Sequence, residues 1–295
     1  MWRESPRGKL EPGVSFLREV VTEWRKDNAL SLGAALAYYT LFSLAPLLVL
    51  IIAIAGLVFG RAAAEGEIVA RVGDTVGPDA AKVIEGMVVG ASAPTSGVIA
   101  TVASLATMLF GASGVFGQLQ ASLNQIWGVT GGVGSGVLGV VRRRVTSFGL
   151  ILGIGFLLFL SLLVSAVLAG VHELLAEHLP MLSALLPPLN FLLSFLMITA
   201  LFALIFKVLP DVRLQWRDVW VGAGVTALLF TAGKTLIALY LGRTGRTSVY
   251  GAAASLVVLL LWIYYSAQIL LVGAEFTEVY SRRYGSRRGQ ADGSR

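Results

Sequence analysis

Long uncharged stretches separated by short charged clusters set the organisation of this chain. Charge-free runs occupy 28–60, 86–141, 145–172, 178–206 and 247–274, and a sixth, 219–242, is interrupted only by Lys234. A helix needs about 20 apolar residues to cross the hydrocarbon core, so each run is long enough for at least one crossing. The pattern predicts spans at about 30–59, 96–114, 146–171, 188–207, 219–241 and 251–275. It excludes a β-barrel, whose strands are short alternating segments. The expected fold class is all-α: a polytopic integral membrane protein with six transmembrane helices.

Shorter segments carry one apolar side only and predict helices lying at the membrane interface. In 13–27, Phe16, Val20 and Trp24 fall in line on an otherwise charged helix. The stretch GQLQASLNQIWG (117–128) places Phe116, Leu119, Leu123, Ile126 and Trp127 at helical spacing, with Gln118, Gln120, Asn124 and Gln125 between them. It reads as an interfacial helix rather than a second crossing within 86–141. The segment 62–92 is too charged to cross and predicts two short helices on the outer face, the second opening at Pro78. The glycine-rich 128–139 reads as a flexible connector.

Charge then fixes an orientation. The chain has 295 residues, of which 14% are charged and 56% hydrophobic, with a net charge of +6. With the N-terminus inside, 17 Lys and Arg side chains fall on the cytoplasmic side and five on the outer side. This positive-inside bias predicts that both termini are cytoplasmic. It also accounts for the basic balance, so no nucleic-acid partner is called for. Three regions follow: a cytoplasmic amphipathic segment at 1–29, the transmembrane domain at 30–281, and a disordered basic cytoplasmic tail at 282–295. Eleven charges precede the first apolar run, so no cleavable signal is expected and the first span serves as its own insertion signal.

Polar residues inside the spans are the candidate functional residues. Tyr39, Ser43 and Pro46 share one face of the first span. Pro46 leaves the Phe42 carbonyl without its helical donor, and Tyr39, Thr40 and Ser43 are the nearby groups able to satisfy it. Two readings stay open for this face: a kink packed on a neighbouring helix, or the lining of a polar cavity. Lys234 is the one charge well inside a span. It either snorkels to the outer surface or attracts an anionic group. In the last span Tyr265, Gln268 and Glu275 share a face, with Glu275 at its cytoplasmic end, where arginines are the expected company. Small residues at Gly33/Ala37, Gly111/Gly114/Gly117 and Gly222/Gly224 read as close helix contacts.

Several motifs fail. His172 and His178, the only histidines, stand six apart and off one helical face, which argues against a zinc site. No P-loop pattern occurs, and GGVGSG lacks the strand and helix of a dinucleotide fold. No cofactor is therefore expected. With no cysteine, disulfides and thiolate chemistry are ruled out.

At AALAYYTLFSLAPLL (34–48), LPDVRLQWRDVWVGA (209–223) and SVYGAAASLVVLLLWIYYSAQILLVGAEF (248–276), the sequence resembles the YihY/BrkB family of bacterial inner-membrane proteins. The resemblance covers about 20–282. It implies six spans with both termini inside, in agreement with the charge distribution. The family carries a ribonuclease label, ribonuclease BN, a serum-resistance or virulence label, and a link to envelope lipid handling; no catalytic residues transfer with it. RNA hydrolysis calls for a metal cluster or paired acid–base groups, and the sequence suggests no carboxylate cluster on the cytoplasmic side. The expectation is a non-enzymatic transporter or flippase for an envelope lipid or other amphipathic anion, with membrane lipids as partners. Tyr39, Ser43, Pro46, Lys234, Tyr265, Gln268 and Glu275 would line its path. A scaffold recruiting envelope-assembly proteins is the alternative. Oligomeric state is left open.

Overall fold

The structure is a computed structural model, and it describes residues 12–60, 65–66, 78–91, 111, 114–129, 149, 153–157, 160–161, 163–172, 185–244 and 251–288. Among these residues every regular element is helical. In chain order they are α1 (Pro12–Lys26), α2 (Ala29–Phe59), α3 (Pro78–Ala91), α4 (114–126), α5 (Leu163–His172), α6 (Leu186–Val208), α7 (Trp216–Thr244) and α8 (Gly251–Arg283).

Four of these helices are long and apolar enough to cross a membrane, over Ala29–Val49, Leu186–Val208, Trp216–Leu236 and Leu256–Arg283. They correspond to the first, fourth, fifth and sixth expected spans. Most of the expected 96–114 span, nearly all of the first of the two outer helices and nearly all of the 128–139 connector lie outside the described residues, while the expected 146–171 span is described at 149, 153–157, 160–161 and 163–171, all helical. The second outer helix does open at Pro78. Large apolar side chains such as Phe42, Phe191, Leu192, Leu228, Leu236, Val257 and Leu261 stand exposed around the long helices. An apolar outer surface on hydrogen-bonded helices is what a bilayer tolerates.

The core is built where α2, α4, α6, α7 and α8 meet. Leu123, Phe206, Val219, Ala223, Ala227, Leu271 and Ala274 are at most 1% exposed there. Aromatic contacts run across the helices, with centroids 6.2 Å apart for Trp127–Phe206, 5.8 Å for Phe202–Phe230 and 6.3 Å for Phe230–Trp262. Helices α7 and α8 approach closely because each carries a glycine followed four residues later by threonine. A Cβ on Gly222 would lie 1.7 Å from Thr277 Oγ1, and one on Gly273 would lie 1.9 Å from Thr226 Oγ1. Both threonine hydroxyls donate back within their own helix, to the Gly222 carbonyl at 2.7 Å and the Gly273 carbonyl at 2.6 Å. The pair thereby exposes no unsatisfied polar group at the crossing.

Two segments expected at the interface are instead packed into the protein. The apolar row of α4 (Phe116, Leu119, Leu123, Ile126, Trp127) is buried in the main core. Its polar side is also engaged: Gln120 and Asn124 donate to the Asp211 carboxylate at 3.2 and 2.9 Å, and the Asp211 N–H donates to Asn124 at 2.8 Å. Helix α1 turns Phe16 and Val20 onto Val279, Phe276 and Tyr280 of α8. Periodicity shows that one side avoids water and does not choose between lipid and protein as its cover.

The basic tail also departs from expectation over the described part. Helix α8 runs to Arg283, and Ser286 donates through its N–H at 2.9 Å and its hydroxyl at 2.6 Å to Asp218, a buried residue in the first turn of α7. Residues 289–295 lie outside the described residues. The docking of α1 on the end of α8 brings the two ends of the described chain to the same end of the bundle.

A carboxylate cavity at the end of the bundle that holds α1

The seven residues picked out from the sequence fall into separate environments. Ser43 is buried and donates to the Gly111 carbonyl at 2.7 Å. A Cβ on Gly111 would stand 3.1 Å from Pro46 Cγ, and one on Gly114 would stand 3.3 Å from Ser43 Oγ and 3.5 Å from Tyr39 Cδ1. This face of α2 therefore packs against Gly111 and Gly114, the kind of contact that the first of the two readings expects. Tyr39 sits at its rim, 43% exposed. Thr40 donates to the Leu36 carbonyl at 2.7 Å, so of the three hydroxyls expected at the Phe42 carbonyl, those of Thr40 and Ser43 go elsewhere.

Tyr265 places its hydroxyl 1.9 Å from where a Gly233 Cβ would be, which seats it against α7. Gln268 turns the other way and donates to the Ala29 carbonyl at 3.2 Å, over Gly33. Lys234 is half-buried, and among the described residues it has no ion-pair partner.

Glu275 stands in a different setting. It is 1% exposed, and neither carboxyl oxygen has a hydrogen-bond donor among the described residues. It faces a cavity of about 160 Å³ lined also by Glu23, Lys26, Asp27, Gln125, Trp127, Glu278 and Arg282. The arginine expected beside it is present but occupied. Arg282 lies 2.9 Å from Glu19, 3.5 Å from Glu23 and 3.6 Å from Glu278.

Three local features assemble this cavity. Asn28 adopts φ +53°, a left-handed conformation that asparagine tolerates, and this ends α1 and restarts the chain as α2. The turn carries Asp27 to the cavity. Helix α4 ends with Gly128 at φ +62°, the Val129 N–H reaching the Asn124 carbonyl and the Gly128 N–H reaching that of Gln125. That glycine-dependent cap fixes Gln125, which donates to the Asp27 carbonyl at 2.8 Å. Glu275, Glu278 and Arg282 line up at intervals of three and four residues on α8.

Four carboxylates thus share one cavity, which corrects the expectation that no such cluster exists. Among the described residues, no group of three or more acidic or histidine side chains is arranged to hold a metal ion. Lys26 pairs with Glu23 at 2.9 Å. The two cations are therefore committed to Glu19, Glu23 and Glu278, leaving Asp27 and Glu275 as the acids in surplus. Burial raises the Asp27 carboxyl above its ordinary range. Lys26 opposes this, Glu23 adds to it, and the neighbouring Glu275 carboxyl opposes it. Sequence reasoning named Glu275 but missed its partners, because Asp27 and Glu275 stand far apart in the chain and only the turn at Asn28 joins them.

A family model described as Virulence factor BrkB matches residues 20–295. A UPF0761 membrane protein of Aeromonas salmonicida is 28% identical over 283 residues, covering 92% of this chain and 93% of its own. Another, from Pseudomonas aeruginosa, is 28% identical over 278 residues, covering 91% of this chain and 63% of its own. A third, from Tolumonas auensis, is 34% identical over 137 residues, 46% of this chain and 44% of its own. The chain thus spans less than two-thirds of the length of the Tolumonas and Pseudomonas relatives. No solved structure matches it.

Proposed function

The chain belongs to the virulence factor BrkB family, and from that premise we propose that it moves an amphipathic envelope molecule, such as a phospholipid or lipopolysaccharide precursor, across the bacterial inner membrane without ATP. The observation that carries this reading is Glu275. A carboxyl group buried in an apolar helix without a donor is costly, and such residues mark transport pathways and proton relays. Here it faces an open, charged cavity rather than a packed core. The end holding α1 is taken as cytoplasmic, a reading supported by the Lys and Arg excess on the segments that meet there. No enzymatic step is assigned to the cavity.

The test is reconstitution of the whole chain in liposomes and measurement of transbilayer movement of a fluorescent phospholipid. Movement above that of empty liposomes, reduced at least several-fold in Glu275→Gln, is the expected outcome. Equal movement in the variant removes Glu275 from the pathway, and none in the wild type retires phospholipid as the substrate.

A second reading, a scaffold for envelope-assembly proteins, is favoured by the tight seats of Ser43 on Gly111, Tyr265 on Gly233 and Gln268 on Gly33. It predicts no lipid movement and stable co-purification of another envelope protein.

A further inference from the structure

Around Glu275 the cations and the Gln125 amide are engaged elsewhere, and the Trp127 N–H, which has no partner, does not reach either carboxyl oxygen. Lys26 donates to Glu23, Gln125 donates to the Asp27 main chain, and Arg282 is shared among Glu19, Glu23 and Glu278. What remains beside Glu275 in the cavity lining is the carboxyl of Asp27, which has no ion pair among the described residues. Two ionised carboxylates are both acceptors, so this contact leaves each oxygen of Glu275 without a donor. Like charges side by side, with Glu275 buried, are disfavoured together. A single proton resolves both difficulties, turning two acceptors into a donor and an acceptor.

We propose that Asp27 and Glu275 form a proton-binding carboxyl pair, filled from water through the cavity. The proton arrives from solvent as the pair changes from two carboxylates to one carboxyl and one carboxylate, and it returns to solvent on release. The groups facing the pair are Glu23 and Lys26 from α1, Gln125 from α4, and Glu278 and Arg282 from α8. The charged ones neutralise one another, so none replaces the proton as counter-charge. Release sets Asp27 against Glu275, and this pushes the α1–α2 turn away from α8. Resting on the transport reading, the pair would make the proton the coupling ion; the site itself does not depend on that reading.

The experiment is infrared difference spectroscopy of the full chain in phosphatidylethanolamine–phosphatidylglycerol liposomes, following the protonated-carboxyl C=O stretch during a pH titration. The wild type should show this band at neutral pH and lose it at alkaline pH. Glu275→Gln, a neutral isostere, should abolish it, Asp27→Asn should shift its midpoint, and Glu278→Gln should leave it in place. Absence of the band in the wild type at neutral pH, or its survival in Glu275→Gln, overturns the proposal. Its removal by sodium or potassium ions at fixed pH also does so, and assigns the site to a metal cation. Asp27 lies in a turn, so the Asp27→Asn arm reads out even where a substitution in α8 impairs folding. A carboxyl band in a protein that moves no lipid keeps the proton site and retires transport; lipid movement without the band does the reverse.

Discussion

Thr277 of α8 occupies the space where a side chain on Gly222 of α7 would stand, its hydroxyl oxygen 1.7 Å from that Cβ position. Gly273 and Thr226 repeat the relationship in the opposite sense. The interlock is intolerant of any added atom, whereas Gly224, two residues along, has nothing within 4 Å of its Cβ position. Gly222→Ala should therefore lower stability by about 1–3 kcal/mol, as overpacking does. Gly224→Ala should be neutral or slightly stabilising through helix propensity. Unfolding midpoints of the two variants in one detergent decide the matter.

Ser43→Ala removes the hydroxyl that holds α2 to the Gly111 carbonyl. Interhelical hydrogen bonds in membranes contribute about 1 kcal/mol or less, so a small loss of stability is expected. Any lipid movement should continue at the wild-type rate, because this face is a packing contact. A variant that folds normally and loses movement would return Ser43 to the pathway.

Arg282 ties three glutamates together across α1 and α8. The group is one-third exposed, which limits its contribution through solvent screening. Arg282→Ala should leave the bundle folded and raise amide hydrogen exchange over residues 12–26 selectively. Unchanged exchange there would assign the docking of α1 to Phe16 and Val20 together with the contacts of Arg283 to Ser15 and Glu19.

Docking of α1 should also depend on pH in two directions. Burial pushes the Glu23 carboxyl up, but the Lys26 hydrogen bond and the charges of Lys26 and Arg282 outweigh it, so its pKa is lowered. Its contribution is present above its unfolded value and is lost as pH falls through the lowered folded value. The Asp27 carboxyl is raised. Its contribution is present below its unfolded value and is lost as pH rises through the raised folded value. Protection of the amides of residues 12–26, taken relative to their intrinsic exchange rates, should thus be greatest at mildly acidic pH and fall on both sides. Asp27→Asn should lessen the alkaline loss of protection while keeping the acid one.

What could be read from the sequence was set by how each signal arises. The first and last spans were legible because an apolar run of this length has one physical use. Pro78 at the start of α3 was legible because proline favours a first helical turn. The cover of α4 was not, since Phe116, Leu119 and Leu123 show the same spacing whether they face lipid or Phe206. Gly222 was recognised as a close contact, but its fit with Thr277 depends on a crossing that local pattern does not encode. The carboxylate cavity was the least legible feature. Glu23 and Asp27 read as parts of a charged helix, Glu275 as the end of a span, and only the tertiary fold makes them neighbours.

The strap between α1 and α8 has a consequence for how this protein is made. Glu19 and Arg282 are 263 residues apart, so α1 finds its seat only after α8 has been synthesised. Until then Phe16 and Val20 have no cover, and chaperones or proteases at the membrane surface can bind them. A chain stalled before α8 keeps that signal permanently, while a chain that has made α8 hides it. Closure of the strap thus marks synthesis of α8.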